Sequence, residues 1–377
     1  MLRFGFLSTF PPTRCGIATF TESLASAVEA ELGAEARIVR LLDADEAAPS
    51  APVPADRRVA ADLVPVDPAS MRGAVEALDA CDVVVVQHEY GIYGGVDGDE
   101  VLTVLRALRA PAIVVLHTVL RSPTPGQRAV LEQVCALAAT VVVMTETARR
   151  LLAGYAVTAE KVRVIPHGVH ARTSSLTSVH EIRSRVLTWG LIGPGKGIEW
   201  AIRAMAQLDD LDPRPTYQVL GQTHPKVLAK YGERYRQSLH ALVDELGLRS
   251  SVSLDPRYLD AAELAAVIAA ADVVVLPYDS RDQVTSGVLV EAIAAGVPVV
   301  ATGFPHAREL LHRGPGTVVA HEDPGAIARA VRAILTRGDL ADRMRRAASA
   351  ATAETSWADV ARRYGRLGAN LRSAVAA

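Results

Sequence analysis

The segment Ala271–Thr302, ADVVVLPYDSRDQVTSGVLVEAIAAGVPVVAT, constrains the fold more than any other. Val273–Pro277 reads as an apolar strand, and a polar turn follows over Asp279–Thr285. Ser286-Gly287 opens a helix that carries Glu291 in its second turn. Gly296 ends that helix, and Val297–Ala301 is the next strand. A short run of valines without alternation suits a strand buried on both faces, as in a parallel sheet. A loop of this kind places backbone N–H groups and a helix N-terminus at the carboxyl end of a strand. An anion fits there. Glu291 stands close enough to bond sugar hydroxyls, so the stretch reads as the nucleotide-sugar end of a site.

The same strand–helix alternation runs through the rest of the chain. Strands are expected at Arg3–Ser8, Ala36–Leu42, Asp82–Gln87, Ala112–Leu116, Thr140–Met144 and Val162–Ile165, with a short one inside Arg58–Pro65. Helices are expected at Ile17–Leu32, Ser70–Leu78, Glu100–Leu108, Gly126–Ala138 and Ala148–Leu152. Asp43–Asp56, rich in Ala, Pro and Asp, reads as an exposed loop, and the polar, aperiodic Arg172–Arg185 as a linker. The pattern restarts at Val186–Trp189 and includes one long amphipathic helix, Val227–Leu246. At 377 residues the chain exceeds one comfortable core, so two domains are expected. The fold class is α/β, with two Rossmann-like doubly wound parallel sheets facing across a cleft. The expected division is 1–175, 176–356 and a final helix at 357–377.

Polar groups gather at the predicted strand ends. Gly16 follows the first strand and opens a helix, where a phosphate can approach the backbone, although any such loop favours a Gly. The strand at Asp82–Gln87 runs into His88, Glu89, Tyr90, Gly91, Ile92 and Tyr93, and the next strand ends at His117. Each histidine has two readings, a binding group or a packed core residue. In the second half, Gly190–Gly197 holds Gly195 and Lys196 before a helix, a combination of N–H groups, dipole and ammonium that suits a phosphate. It matches neither GxGxxG nor the GxxxxGK[ST] phosphate loop, so an ordinary dinucleotide site and an ATPase are unsupported.

The net charge of -2 gives no general reason to bind nucleic acid. Cys15, Cys81 and Cys135 are scattered and form no CxxC, which argues for a reducing compartment and against a metal cluster. The N-terminus leads directly into a strand, and no long apolar run occurs. The expectation is a cytoplasmic protein with no transmembrane segment, which leaves peripheral membrane contact open.

The segments GLIGPGKGIEWAIRAM, VRVIPHGV and ADVVVLPYDS…SGVLVEAIAAGVPVVAT resemble the retaining GT-B glycosyltransferases of family 4. The first half agrees in its early Gly loop, its His-Glu strand end and VVLHT. The resemblance implies a nucleotide-diphosphate sugar held mainly by the C-terminal domain and a hydroxylated acceptor held mainly by the N-terminal one. It implies transfer without metal or other cofactor, with retained anomeric configuration, and a last helix crossing back to the first domain. By the same resemblance Gly16 approaches the diphosphate, His117 lies beside the transferred sugar, and Lys196 neutralises the leaving group. Glu291 holds the ribose hydroxyls, and the N–H groups around Ser286, Gly287 and Val288 meet phosphate or sugar oxygens. Arg14, His88, Glu89, Tyr93 and Arg121 are the acceptor or sugar candidates.

Two positions depart from the family pattern. Where the family has a first glutamate paired with Glu291, this chain has Gln283. Where the family has an arginine shortly before the lysine, it has Leu191. Gln283 still bonds hydroxyls but brings no charge, and Arg14 or Arg121 are candidates to compensate for Leu191. Three other functions compete: a glycoside phosphorylase on the same fold using inorganic phosphate, a non-catalytic sugar- or nucleotide-binding protein, and a nucleotide-sugar epimerase.

Overall fold

The computed structural model describes residues 1–42, 56–170, 184–353 and 355–376. Residues 43–55 of the predicted loop and 172–183 of the predicted linker lie outside them, and the linker's last residue, Arg185, belongs to a strand. The chain forms two compact units, Met1–Gly168 with Thr355–Ala377, and Val169–Glu354.

The first unit is built on seven strands, β1 (Arg3–Ser8), β2 (Glu35–Leu41), β3 (Val59–Leu63), β4 (Val83–His88), β5 (Ala112–Leu116), β6 (Thr140–Val143) and β7 (Val162–Val164). All pair in parallel, in the order β3-β2-β1-β4-β5-β6-β7. The connecting helices are α1 (Gly16–Leu32), α2 (Pro68–Asp79), α3 (Glu100–Ala107), α4 (Pro125–Leu137) and α5 (Glu146–Leu152). β4 reads VVVVQH and is buried at every position. This is what helices on both sheet faces demand, since neither face of a central strand meets water. The helix starts are fixed locally. Cys15 Sγ accepts the Ala18 N–H at the start of α1, and Thr124 with Gln127 forms a capping box on α4. The C-terminal helix, Trp357–Ala376, belongs to this unit. Its Trp357, Val360, Ala361 and Tyr364 join Phe4, Phe20, Leu24 and Val83 in one buried cluster.

The second unit repeats the plan with β8 (Arg185–Trp189), α6 (Ile198–Met205), β9 (Thr216–Leu220), α7 (Pro225–Tyr231), α8 (Arg234–Glu245), β10 (Val252–Asp255) and α9 (Ala261–Ala269). It continues with β11 (Val273–Leu276), α10 (Gly287–Ala294), β12 (Val299–Thr302), α11 (Pro305–Leu311), β13 (Gly316–Val319), α12 (Pro324–Thr336) and α13 (Gly338–Ala351). Its six strands are parallel in the order β10-β9-β8-β11-β12-β13. Apolar clusters pack on both faces of the sheet. Both units are therefore Rossmann-like.

One predicted element differs. The single helix expected over Val227–Leu246 is two helices, α7 and α8. Gly232 caps α7 with φ of 62° and ψ of -150°, and its N–H bonds to the Leu228 carbonyl. A residue in that backbone region cannot continue a right-handed helix, and only glycine adopts it at little cost. Among the described residues, no helix is long and apolar enough to cross a membrane.

Tyr364 tests how firmly the C-terminal helix is part of the first unit, because it is 1% exposed among that unit's core residues. Tyr364→Ala should cost about 3 kcal/mol, read as a lowered urea midpoint for the first unit. A change within about 0.5 kcal/mol, the range of an ordinary surface substitution, would show that the helix contributes little.

Candidate functional site

In a doubly wound sheet, the loops at the strands' carboxyl ends diverge where the strand order reverses, and ligands bind in that crevice. The reversal lies between β1 and β4 in the first unit and between β8 and β11 in the second. The polar loops found in the sequence follow those strands.

In the second unit, β8 ends at Trp189 and the Gly-rich loop runs from Gly190 to Gly197. Gly197 has φ of 60°, and a Cβ there would stand 1.9 Å from the Pro277 carbonyl oxygen. Only glycine fits, and the contact presses the loop onto the end of β11. Two hydrogen bonds fasten the same junction. Asp279 N–H donates to the Gly195 carbonyl at 3.0 Å, and Trp200 Nε1 donates to Asp279 Oδ1 at 3.0 Å. Lys196, between these two glycines, places Nζ 4.4 Å from the centre of the Tyr278 ring. Burial lowers its pKa below the usual lysine value. Tyr278 in turn is buried and stacks on Phe304 with centroids 5.3 Å apart.

The turn before α10 is held from several sides. Ser286 Oγ accepts the Leu289 N–H at 3.3 Å, and Ser286 N–H donates to His306 Nδ1 at 2.8 Å. His306 N–H donates to the Gln283 carbonyl at 3.3 Å, and Gln283 Nε2 donates to the Thr285 carbonyl at 3.1 Å. The Ser286 N–H expected to face phosphate is thus already engaged, and Ser286 itself is buried. Gly287 and Val288 remain as first-turn N–H groups, which have no acceptor within their own helix. Glu291, one turn on, has its carboxyl pushed up to about 7 by burial, against a hydrogen bond from Trp189.

In the first unit, Gly16 opens α1 and has nothing within 4 Å of where a Cβ would be. It leaves room, and its backbone conformation does not demand a glycine. At the end of β4, Gln87 Oε1 lies 2.7 Å from His117 Nε2, and His117 N–H donates to the His88 carbonyl at 3.0 Å. With the amide oxygen as acceptor, Nε2 carries the His117 proton. The ring meets Phe20 edge-on, with centroids 5.0 Å apart, and Phe20 also contacts His167 and Trp357. Burial, then His167 and His88, push His117 down to about 3. The imidazole is neutral at physiological pH, so it can bond a hydroxyl but holds no proton to deliver as an acid.

The remaining acceptor candidates separate. His88 is fully buried, with burial pushing it down to about 4, and neither ring nitrogen has a partner among the described residues. Tyr93 is 8% exposed, and its hydroxyl donates to the Gln87 carbonyl at 2.7 Å. Glu89 accepts from the Thr118 hydroxyl and, at 3.0 Å, from the Tyr90 N–H, and burial raises its pKa. Of these acceptor or sugar candidates, Tyr93 and Glu89 have their polar groups engaged within the first unit, and His88 is enclosed there. Arg14 and Arg121 are exposed, on the loops after β1 and β5. The residues not singled out in the sequence are Trp189, Gly197, the Trp200–Asp279 pair, His306 and Gln87. Gly197 had a signal, as the last glycine of a Gly-rich loop; the others depend on partners far along the chain. Among the described residues, no three His, Cys, Asp or Glu side chains are grouped to hold a metal ion.

Two families match the chain in succession. Residues 15–172 match Glycosyltransferase Family 4, and residues 183–337 match Glycosyl transferases group 1. Solved structures share the whole architecture at low identity. Sucrose-phosphate synthase from Thermosynechococcus elongatus matches with a TM-score of 0.75 and 19% identity, over 99% of this chain and 100% of that one. HepE of Anabaena, solved in complex with UDP, matches with a TM-score of 0.72 and 18% identity, over 98% of this chain and 100% of that one. A UDP-forming α,α-trehalose-phosphate synthase from Burkholderia xenovorans matches with a TM-score of 0.69 and 16% identity, over 98% and 99% of the two chains. No curated protein matches the sequence. Fold and motifs together define a GT-B glycosyltransferase. The chain belongs to the group 1, family 4 glycosyltransferases.

Glu291 gives the site a pH signature. Its carboxyl ordinarily titrates at 4.5 and in the fold at about 7. The folded state thus holds a proton that the unfolded state releases, and stability falls as pH rises between those values and then levels. Urea midpoints from pH 4.5 to 8 should show that slope in the wild type and lose it in Glu291→Gln. Equal slopes would place the burial cost elsewhere.

Proposed function

We propose that this glycosyltransferase moves a hexose from a nucleotide-diphosphate sugar to a hydroxyl acceptor, with retention and without a metal. The observation that carries the reading is the junction of Lys196 with the turn before α10 in one unit. An ammonium and the first-turn N–H groups of a helix are joined there through the Gly195–Asp279 bond. Their chemistry is that of a clamp for a leaving diphosphate. Glu291 stands one turn into the same helix, as a hydroxyl-binding carboxylate of the donor's ribose. HepE is a fold relative solved in complex with UDP-glucose, which supports a nucleotide sugar as donor.

In the proposed step the bond between the sugar anomeric carbon and the β-phosphate oxygen breaks, and its electron pair goes to that oxygen. Lys196 and the α10 N–H groups stabilise the growing charge. The acceptor hydroxyl forms the new bond on the same face of the sugar, and its proton passes to the departing phosphate oxygen. No protein base is required, and His117, whose pKa burial pushes down to about 3, is a poor one. Its proposed part is to orient a sugar hydroxyl, held in place by Gln87. Gln283 has its amide nitrogen committed to Thr285, so its oxygen is the end proposed for the donor sugar. The acceptor is assigned to the first unit, whose exposed loops carry Arg14 and Arg121.

Lys196→Ala should lower the rate on the order of 10²–10³-fold in a transfer assay over UDP-, GDP- and ADP-sugars, with EDTA leaving the wild-type rate unchanged. Wild-type turnover in Lys196→Ala would remove the clamp, and loss of activity in EDTA would remove metal independence. Release of sugar 1-phosphate from a disaccharide with inorganic phosphate alone would favour the phosphorylase instead.

A further inference from the structure

The Gly-rich loop has a second neighbour, the loop that follows β9. Ile192 N–H donates to the Gln222 carbonyl at 2.9 Å, and His224 N–H donates to the Ile192 carbonyl at 2.8 Å. The two loops thereby pair as a short parallel bridge at Ile192 and Thr223. Val227 lies against Gly193, so closely that a Cβ there would come within 3.1 Å of it. Arg236 of α8, 8% exposed, holds the second loop from beneath. Its Nη2 donates to the Gly221 carbonyl, its Nε donates to Thr223 Oγ1 at 3.3 Å, and Glu233 pairs with it at 3.5 Å. α7, which follows, has no buried residue. Its place is set by the loop before it more than by packing.

His224 stands where these loops meet, and it is half-buried. Its Nδ1 accepts the Lys226 N–H at 3.2 Å. In the neutral ring the proton is therefore on Nε2, the one ring nitrogen left to meet a ligand. Burial lowers its pKa, and the cations that add to this are Lys196, from the Gly-rich loop, and Lys226, from α7. Glu233, the nearby carboxylate, is occupied by Thr223 and Arg236.

We propose that His224 is a second contact to the diphosphate, donating its Nε2–H to an oxygen of the β-phosphate, the group that Lys196 is proposed to clamp. This rests on the donor reading above and deepens it. It gives the second unit a neutral hydrogen-bond donor where the family's guanidinium is missing at Leu191. The group that binds is the side chain; the first turn of α7 is only what Nδ1 caps. Arg236 is a positioning residue, acting through the Gly221 and Thr223 atoms that it holds.

The test is calorimetric binding of UDP, GDP and ADP, and of the corresponding monophosphates, to the wild type and to His224→Asn. Asparagine keeps a side-chain acceptor for the Lys226 N–H but is too short to present the Nε2 donor. Affinity for the preferred diphosphate should fall on the order of tenfold, while that for its monophosphate stays within about twofold, well inside that difference. Unchanged diphosphate affinity in His224→Asn would overturn the inference while leaving the donor reading intact. So would an equal loss for both nucleotides, since that is the mark of a loosened loop. If the wild type binds none of the diphosphates, the donor reading fails and His224 fails with it. His224→Gln, checked for an unaltered thermal midpoint, should bind the diphosphate at least as well as His224→Asn, because its amide reaches further.

Discussion

The second unit depends on one close approach, Gly197 against the Pro277 carbonyl. The residue carries no side chain, so the Gly-rich loop can lie directly on the end of β11. The Asp279–Gly195 bond and the Trp200–Asp279 bond then hold the loop where the contact places it. Lys196 is fixed by this junction, because its neighbours on both sides are tied down. A charged group on a loose loop would have to be ordered as the ligand bound, at a cost in conformational entropy. Here that ordering is built into the fold, which is what preorganised electrostatic stabilisation requires.

The first unit solves a different problem with similar parts. Among the described residues, no cation or carboxylate is bonded to the His117 ring. It has an amide, Gln87, and an aromatic edge, Phe20. Burial keeps the ring neutral, and the Gln87 bond directs it. Glu89, Tyr93 and His88 are drawn inward around it. Gln87 is the link between them, its side chain bonded to His117 and its carbonyl to the Tyr93 hydroxyl.

Much of the fold was legible in the sequence because its strands are short valine-rich runs and its helices begin at recognisable caps. β1 and β5 fall where the pattern places them. The break between α7 and α8 was missed because amphipathic spacing continues through Gly232, and one glycine outweighs it only through its backbone conformation. In the site, Lys196 and Glu291 were legible because each lies in a local motif. Trp189, His306 and Gln87 were not, since each acts on a residue brought near only by the parallel order of the sheet. The resemblance sets the N–H groups around Ser286 against phosphate or sugar oxygens, whereas the Ser286 N–H itself is bonded to His306, which follows β12.

The C-terminal helix has a consequence for the order in which the protein is completed during synthesis. Trp357, Val360 and Tyr364 close over Phe4, Phe20 and Leu24, residues made near the start of the chain. A ribosome must therefore finish the whole second unit before the first can cover its apolar face. Until then the nascent chain presents aromatic surface to its surroundings, and the unit that begins to form earliest is the last to be sealed.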